Sequence, residues 1–298
     1  MKILRTDESR FADLPDFPWL PNYVEDLPGY DKLRIHYVDE GAGNPDQPVF
    51  LCLHGEPTWS YLFRRMIPEF LKAGGRVIAP DLPGFGRSDK PVDDAIYGFH
   101  FHRNLLVELI RRLDLENITL VVQDWGGLLG LTLPPDMPER FDRLIIMNTV
   151  LATGQPAGQG FAQWRDYVAA NPDLAVGKLM HRSCPHLRPA EVAAYDAPFP
   201  DRDYKAGVRR FPAMVMTDPA MEGVKTSKRA LEFWRNDWHG KTFMAVGALD
   251  PVLGEGIMRY MQKNIKGCPE PLILPHVGHF VQEWGDTVAK AALTHFDD

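Results

Sequence analysis

Seven short runs of apolar residues recur along the chain, each bounded by polar, glycine or proline positions. Longer segments with the apolar spacing of amphipathic helices separate several of these runs. Because apolar strands that alternate with helices are typical of a parallel sheet covered on both faces, we expect an α/β architecture. The predicted strands are residues 33–38, 49–53, 76–79, 118–122, 144–147, 242–246 and 271–274.

The alternation stops between about residues 152 and 229, where proline, tryptophan, tyrosine and arginine become frequent. This stretch is not of low complexity, so we interpret it as an ordered helical insertion and not as a linker. The sequence therefore predicts a core built from residues 1–151 and 230–298, with a helical cap at 152–229.

Composition narrows the class of protein. The chain has 298 residues, of which 45% are hydrophobic, enough to bury a large core. The net charge of −7, with dispersed lysine and arginine, argues against nucleic acid or an anionic membrane as the main partner. The start of the sequence lacks an apolar leader, and no window reaches about 18 uninterrupted apolar residues, so we expect a cytoplasmic protein. Three cysteines without CxxC spacing predict free thiols.

One strand ends in an unusual place, within ITLVVQDWGGLLG at residues 118–130. Asp124 follows the buried strand directly, and ligands of such sheets bind beyond the carboxyl ends of the strands. Gly126 and Gly127 permit a tight turn from strand to helix that would expose the Asp124 side chain, as in a nucleophile elbow. An aspartate that only caps the helix is the alternative from this stretch alone.

Two further residues complete the chain order of an α/β-hydrolase triad, which is nucleophile, acid and histidine. Asp250 follows the predicted strand 242–246, and His279 follows the strand 271–274. Asp250 could instead be a helix cap before Pro251. His276 and His279 could be zinc ligands, but no HExxH or nearby ligand partner accompanies them, so we expect no metal and no cofactor.

A fourth motif, LHGEP at residues 53–57, follows another strand. In α/β-hydrolases the loop at this position supplies one backbone N–H of the oxyanion hole, and the residue after the nucleophile supplies the other. The candidates are Glu56 and Trp125. The loop DLPGFGRSDKP at residues 81–91 lacks the glycine spacing of a phosphate site.

Together HGEPTW, DLPGFGRSDKP, VVQDWGG and GHF resemble the haloalkane dehalogenases, in order and spacing and over nearly the whole chain. The similarity is greatest to the subfamily that acts on short dihaloalkanes. The resemblance implies an α/β-hydrolase fold with a helical cap, and hydrolysis of small apolar haloalkanes to an alcohol and a halide ion. It also implies that Asp250 is the triad acid, since neutral Asn148 stands where other subfamilies carry that acid.

The chemistry of the reaction fits an aspartate nucleophile. Attack by serine on an alkyl halide would leave a stable ether, whereas a carboxylate leaves an ester that water can cleave. His279 is then free to deprotonate water, oriented by Asp250. By resemblance, the indole N–H groups of Trp125 and Trp164 hold the departing halide. The same resemblance predicts apolar pocket walls, although ordinary core packing explains these residues equally well: Leu128, Phe161, Phe211, Pro212, Val215, Val252 and Leu253.

Three alternatives stay open at this stage. A soluble epoxide hydrolase shares the fold and the aspartate nucleophile, and needs cap tyrosines as proton donors, for which Tyr167, Tyr195 and Tyr204 are available. A fluoroacetate-type dehalogenase would need cations beside the nucleophile. A non-catalytic α/β-hydrolase that binds a ligand would not need the complete triad. Separately, Pro134 and Pro135 predict an early end to the helix that begins at the elbow.

Overall fold

The computed structural model describes residues 2–30, 32–41, 43–44 and 46–297. The largest feature is an eight-stranded sheet whose central strands are apolar and buried. In chain order its strands are β1 (Asn22–Val24), β2 (Ile35–Glu40), β3 (Val49–Leu53), β4 (Arg76–Pro80), β5 (Ile118–Gln123), β6 (Phe141–Met147), β7 (Lys241–Gly247) and β8 (Leu272–Leu274). A separate antiparallel pair joins Ile3–Leu4 to Lys90–Pro91.

Across the sheet the strands lie in the order β8, β7, β6, β5, β3, β4, β2, β1. All neighbouring strands are parallel except at one edge, where β2 runs antiparallel to both β4 and β1. Each of the seven predicted strands is present. The two largest differences have local causes: β2 starts two residues late, after the turn that holds Leu33, and β6 starts three residues early, where Asp142 is exposed and breaks the apolar run.

Within the described residues ten α-helices accompany the sheet, and none of them is long and apolar enough to cross a membrane. They are α1 (Ile67–Lys72), α2 (Phe99–Arg112), α3 (Asp124–Gly130), α4 (Gln159–Ala170), α5 (Val176–Ser183), α6 (Pro189–Asp196), α7 (Ala206–Met214), α8 (Val224–Asn236), α9 (Glu255–Lys263) and α10 (Gly285–Asp297). Helix α3 ends at Gly130 and a 3₁₀ turn follows over Pro134–Asp136, which confirms the early end expected from the paired prolines.

Helices α4 to α8 all lie between β6 and β7, the segment in which the sequence predicts a cap. The predicted boundary at residue 229 falls inside α8, whose Trp234 is buried and donates its indole N–H to the Leu131 carbonyl at 2.7 Å. Because Leu131 immediately follows α3 of the core, α8 packs with the core. We therefore propose that the cap ends before Val224.

A buried ionic cluster joins the cap to the core. Arg64, which follows the loop after β3, forms a bidentate pair with Glu283 at 2.7 and 2.8 Å and a further bond to Glu191 of α6 at 2.9 Å. Tyr195 of the same cap helix donates its hydroxyl to Glu283. The side chains of Arg64, Glu191 and Glu283 are 0–1% exposed, so this cluster is a fixed attachment of α6 to the core.

The loop after β4 is held by one buried carboxylate. Asp81 accepts hydrogen bonds from the His36 ring at 2.7 Å and from the backbone N–H groups of Ser60 and Arg87 at 2.7 and 2.8 Å. Burial opposes its negative charge, but the nearby His36 and these hydrogen bonds keep the pKa of Asp81 below its usual range. Asp81 thus fixes the loop 81–91 beside the loop that carries Glu56.

Candidate active site

Asp124 lies at a sharp turn between the central strand β5 and helix α3. Its φ of 50° is in the left-handed region, which is costly for a residue with a Cβ atom. Two contacts hold the turn: the Asp124 N–H donates to the Asn148 carbonyl at 3.0 Å, and the Thr149 hydroxyl donates to the Asp124 carbonyl at 2.7 Å. Gly126 is required, since a Cβ there would collide with the Leu53 carbonyl oxygen. The strained turn presents the carboxylate, 17% exposed, to a cavity.

The other two triad candidates meet Asp124 at the carboxyl edge of the sheet. His279 Nδ1 lies 2.7 Å from Asp250 Oδ2, and His279 Nε2 lies 3.6 Å from Asp124 Oδ2. Asn148 donates to Asp250 Oδ2 at 2.9 Å, and the N–H groups of Val252 and Leu253 donate to Oδ1 at 2.8 and 3.1 Å. Although burial opposes it, the neighbouring His279 and these donors depress the pKa of Asp250 strongly. Asp250 is therefore an anion suited to orient an imidazole.

One of the two N–H groups predicted for the oxyanion hole contacts an oxygen of Asp124. The Glu56 N–H donates to Asp124 Oδ1 at 2.8 Å. Gly55 allows this approach, because a Cβ at that position would overlap the Asp124 carboxylate. Trp125 is the second residue of α3, and the first N–H groups of a helix have no partner within the helix. Its N–H is thus available for the same oxygen.

The Glu56 side chain has a different environment from its backbone. It is buried, and its Oε1 has no hydrogen-bond partner among the described residues. Burial first, and then the negative charge of Asp124, raise the pKa of Glu56 well above its usual range, while His279 and Trp164 act in the opposite direction. The neutral acid is therefore the favoured form beside the nucleophile.

A mostly apolar cavity of about 670 Å³ opens over Asp124, between the sheet edge and the cap. The sequence predicted a small pocket, and the cavity exceeds that expectation. Asp124, Asp250 and His279 are among its polar lining residues. Of the predicted wall residues, Leu128, Phe161, Pro212, Val215, Val252 and Leu253 line it. The cap tyrosine Tyr167 also lines it. Further lining residues that the sequence did not point to include Leu179, Arg182, Ile257 and Tyr260.

Phe211 is a correction to the predicted pocket. It is fully buried and does not line the cavity; its ring packs 4.8 Å from Trp125 and 4.7 Å from Phe85. Adjacent residues on a helix point about 100° apart. Since Pro212 of α7 faces the cavity, Phe211 turns toward the core, where it supports the Trp125 ring from behind.

Both predicted halide ligands line the cavity. Trp125 is 2% exposed, and none of the described residues accepts a hydrogen bond from its indole N–H. By contrast, the buried indoles of Trp59, Trp234 and Trp238 each donate to a protein oxygen. Trp164 lies on α4 of the cap and is partly buried. The cavity therefore contains two donor-only groups near the nucleophile.

The cap tyrosines differ in position. Tyr195 is buried and its hydroxyl is committed to Glu283. Neither Tyr195 nor Tyr204 lines the cavity, whereas Tyr167 does and is 40% exposed. An epoxide hydrolase needs a pair of tyrosine donors at the substrate oxygen, normally from the cap, and the cap contributes one tyrosine to this cavity. The other lining tyrosine, Tyr260, lies on α9 of the core.

Gln123 is a functional candidate that the sequence reasoning missed. Its amide Nε2 lies 2.8 Å from His279 Nε2 and donates to the His279 carbonyl at 3.0 Å. Asn148 anchors both Asp250 and the end of β7 through Gly247, a role that the sequence does not predict. Both residues directly follow or end a strand, where their polar side chains are a signal that could have identified them.

Comparisons with known proteins agree with this geometry. The α/β-hydrolase fold family matches residues 48–286. A haloalkane dehalogenase from Psychrobacter cryohalolentis is 44% identical over 100% of this chain and 99% of its own length. A haloalkane dehalogenase from Mycolicibacterium paratuberculosis is 41% identical over 95% of this chain and 94% of its own. The chain belongs to the haloalkane dehalogenase family.

Solved structures of haloalkane dehalogenases extend the comparison. The tetrameric haloalkane dehalogenase DpaA from Paraglaciecola agarilytica NO2 superposes with a TM-score of 0.96 at 53% identity, covering 99% of this chain and 98% of that one. DatA from Agrobacterium tumefaciens C58, at 24% identity and a TM-score of 0.75, shares the fold over 96% of this chain and 97% of that one. The predicted fold and family are confirmed by these matches.

Proposed function

We propose that this haloalkane dehalogenase hydrolyses haloalkanes, short-chain substrates among them, through a covalent ester on Asp124. The proposal rests on the different environments of the two carboxylate oxygens of Asp124. Oδ1 is held by the Glu56 N–H at 2.8 Å, while Oδ2 is directed toward His279 and the cavity. Oδ2 is thus the free nucleophilic oxygen, and Oδ1 becomes the carbonyl oxygen of the ester.

In the first step Oδ2 attacks the carbon that carries the halogen. The new C–O bond forms as the C–X bond breaks, and the halide leaves with the bonding electron pair. A halide is a weak base that needs hydrogen-bond donors and no proton. The indole N–H groups of Trp125 and Trp164 are suited to this task because they cannot act as acceptors.

In the second step His279 takes a proton from water, and the hydroxide adds to the ester carbonyl carbon. The negative charge passes to Oδ1, where the N–H groups of Glu56 and Trp125 stabilise it. The bond between the carbonyl carbon and Oδ2 then breaks, and the alcohol leaves with the proton that His279 had accepted. The new Asp124 carboxyl group releases its own proton to solvent, which restores the carboxylate. Asp250 stabilises the intermediate imidazolium through the 2.7 Å contact.

The cavity supports haloalkanes with an apolar chain as substrates. Its walls are mostly aliphatic and aromatic, and the cation that lines it, Arg182, is exposed and comes from cap helix α5 and not from beside Asp124. A substrate carboxylate would therefore lack a clamp at the nucleophile. A volume of about 670 Å³ also leaves room for chains longer than a dihaloethane. We expect activity to extend from 1,2-dibromoethane to bromoalkanes of several more carbons.

The first test compares bromide release from 1,2-dibromoethane with diol formation from styrene oxide. Wild type should release bromide, Asp124→Ala should not, and neither should form diol. Asp166→Ala, which removes an exposed carboxylate of cap helix α4, is the matched control and should retain wild-type rates. Diol formation without bromide would reassign the chain to epoxide hydrolysis, and bromide release by Asp124→Ala would refute the ester mechanism.

A further inference from the structure

The side chain that precedes the nucleophile contacts the proposed base. Gln123 ends β5, is fully buried, and places its amide nitrogen 2.8 Å from His279 Nε2 and 3.0 Å from the His279 carbonyl oxygen. Gln282, also buried, donates to Gln123 Oε1 at 3.4 Å. The contacts with the His279 carbonyl, which can only accept, and with the Gln282 amide determine which end of the Gln123 amide faces the imidazole.

This arrangement is compatible with one protonation state of the imidazole. If Nε2 carried a proton, it would face the N–H₂ group of Gln123, donor against donor. Turning the amide over would place its oxygen at 3.0 Å from the His279 carbonyl oxygen, acceptor against acceptor, and its N–H₂ group against the Gln282 amide nitrogen. With Nδ1–H donating to Asp250 and Nε2 unprotonated, every contact has one donor and one acceptor.

The negative charges around His279 favour the protonated imidazole instead. Burial lowers the pKa of His279, but the negative charges of Asp250 and Asp124 act against this and raise it. The third carboxyl near the imidazole, Glu56, has its own pKa raised and favours the neutral form. An imidazole that already carried a proton on Nε2 could not deprotonate water. Formation of the ester removes the charge of Asp124 but leaves that of Asp250.

We propose that Gln123 is a positioning residue that keeps His279 a base. Its amide stabilises the neutral Nδ1–H tautomer and so leaves Nε2 free of a proton until the hydrolytic water arrives. The second amide hydrogen stays bonded to the His279 carbonyl throughout. The hydrogen bond from the amide to Nε2 can therefore be replaced by one from water while the Gln123 side chain keeps its position. This inference rests on the proposed function, because it assigns a role in the hydrolysis of the Asp124 ester.

The test changes the donor at position 123 in two ways. Gln123→Met removes the donor and keeps the length of the side chain, and Gln123→Glu replaces the donor with an anionic acceptor. Each enzyme is mixed with excess 1,2-dibromoethane between pH 6 and 10 and quenched in acid. Intact mass then gives the ester fraction and its rate of hydrolysis, and bromide release in the first turnover measures ester formation.

The apparent pKa that governs ester hydrolysis should rise in the order wild type, Gln123→Met, Gln123→Glu. Loss of one hydrogen bond should raise it by about one unit, so the ester should live about tenfold longer near neutral pH in Gln123→Met. First-turnover bromide release should stay within about threefold of wild type, because His279 takes no part in it. Gln282→Met, which removes a contact to Gln123 only, is the control and should cause a smaller shift.

Two outcomes would overturn the role of Gln123: pH profiles of hydrolysis that coincide in all variants, or a lower apparent pKa in Gln123→Glu than in Gln123→Met. A wild type that releases no bromide would instead refute the proposed function. Because Gln123 is buried and a variant could fail to fold, ¹⁵N NMR of wild-type His279 gives a second test. Nε2 should resonate as an unprotonated nitrogen at pH 8, and an imidazolium signal at that pH would contradict the proposal.

Discussion

Replacement of Arg64 by methionine tests whether the ionic cluster between cap and core contributes to stability. The substitution keeps most of the apolar stem but leaves Glu191 and Glu283 buried without their central partner. Arg65, which contacts both carboxylates, and Arg188, which contacts Glu191, are the remaining cations. Breaking a buried ion pair by removing one partner costs about 3–5 kcal/mol. Arg65 contacts both carboxylates at 2.8 and 3.2 Å, so we expect the lower end, about 3 kcal/mol.

Urea denaturation followed by tryptophan fluorescence measures this loss of free energy of unfolding. At roughly 2–4 °C per kcal/mol, the same change should lower Tm by roughly 6–12 °C. The matched control is Arg65→Met, because the Arg65 side chain is 31% exposed and its charge is better solvated. Arg65→Met should lower the free energy of unfolding by about 1 kcal/mol or less. An Arg64→Met enzyme that is as stable as Arg65→Met would refute the reasoning.

Three further variants test separate parts of the account. Burial raises the pKa of Glu191, but hydrogen bonds from Arg188 and Arg64 lower it to about 2 overall. The stabilisation that the ionised Glu191 provides is therefore present above about pH 4.5 and is lost as the pH falls toward 2. In Glu191→Gln the free energy of unfolding, measured in acid titrations, should change less with pH over that window. Asp250→Asn should lower kcat by on the order of 10⁴ and accumulate the ester in intact mass, and a normal kcat would count against its role. Trp164→Phe should raise KM for bromoalkanes and slow first-turnover bromide release by roughly tenfold, whereas unchanged stopped-flow traces would remove Trp164 from the halide site.

Much of the fold follows from local apolar pattern. Strand β3 has the bounds predicted, Val49–Leu53, because all five residues are apolar and are buried on both faces of the sheet. Strands with one polar end, such as β6, begin earlier than their apolar run. The edge strand Asn22–Val24 has three residues and no such run, so pattern alone does not distinguish it from a loop.

Part of the candidate site was likewise predictable from the sequence, and part was not. Asp124, Asp250 and His279 follow strands whose carboxyl ends meet, so chain order and sheet topology were enough to predict their meeting. Phe211 could not be placed, because the direction of a side chain on α7 depends on how the cap helix is rotated against the core. The contact between Gln123 and His279 spans 156 residues and was equally beyond a local pattern.

The most direct test of the central claim follows the oxygen that enters the product. A single turnover with excess enzyme and 1,2-dibromoethane is run in ¹⁸O-labelled water, and Asp124 is then examined by peptide mass spectrometry. If Oδ2 forms the ester and water attacks the carbonyl carbon, the label should appear in Asp124 and the first alcohol should carry ordinary oxygen. Label in the alcohol, with none in Asp124, would show that water attacks the substrate directly and would contradict the account.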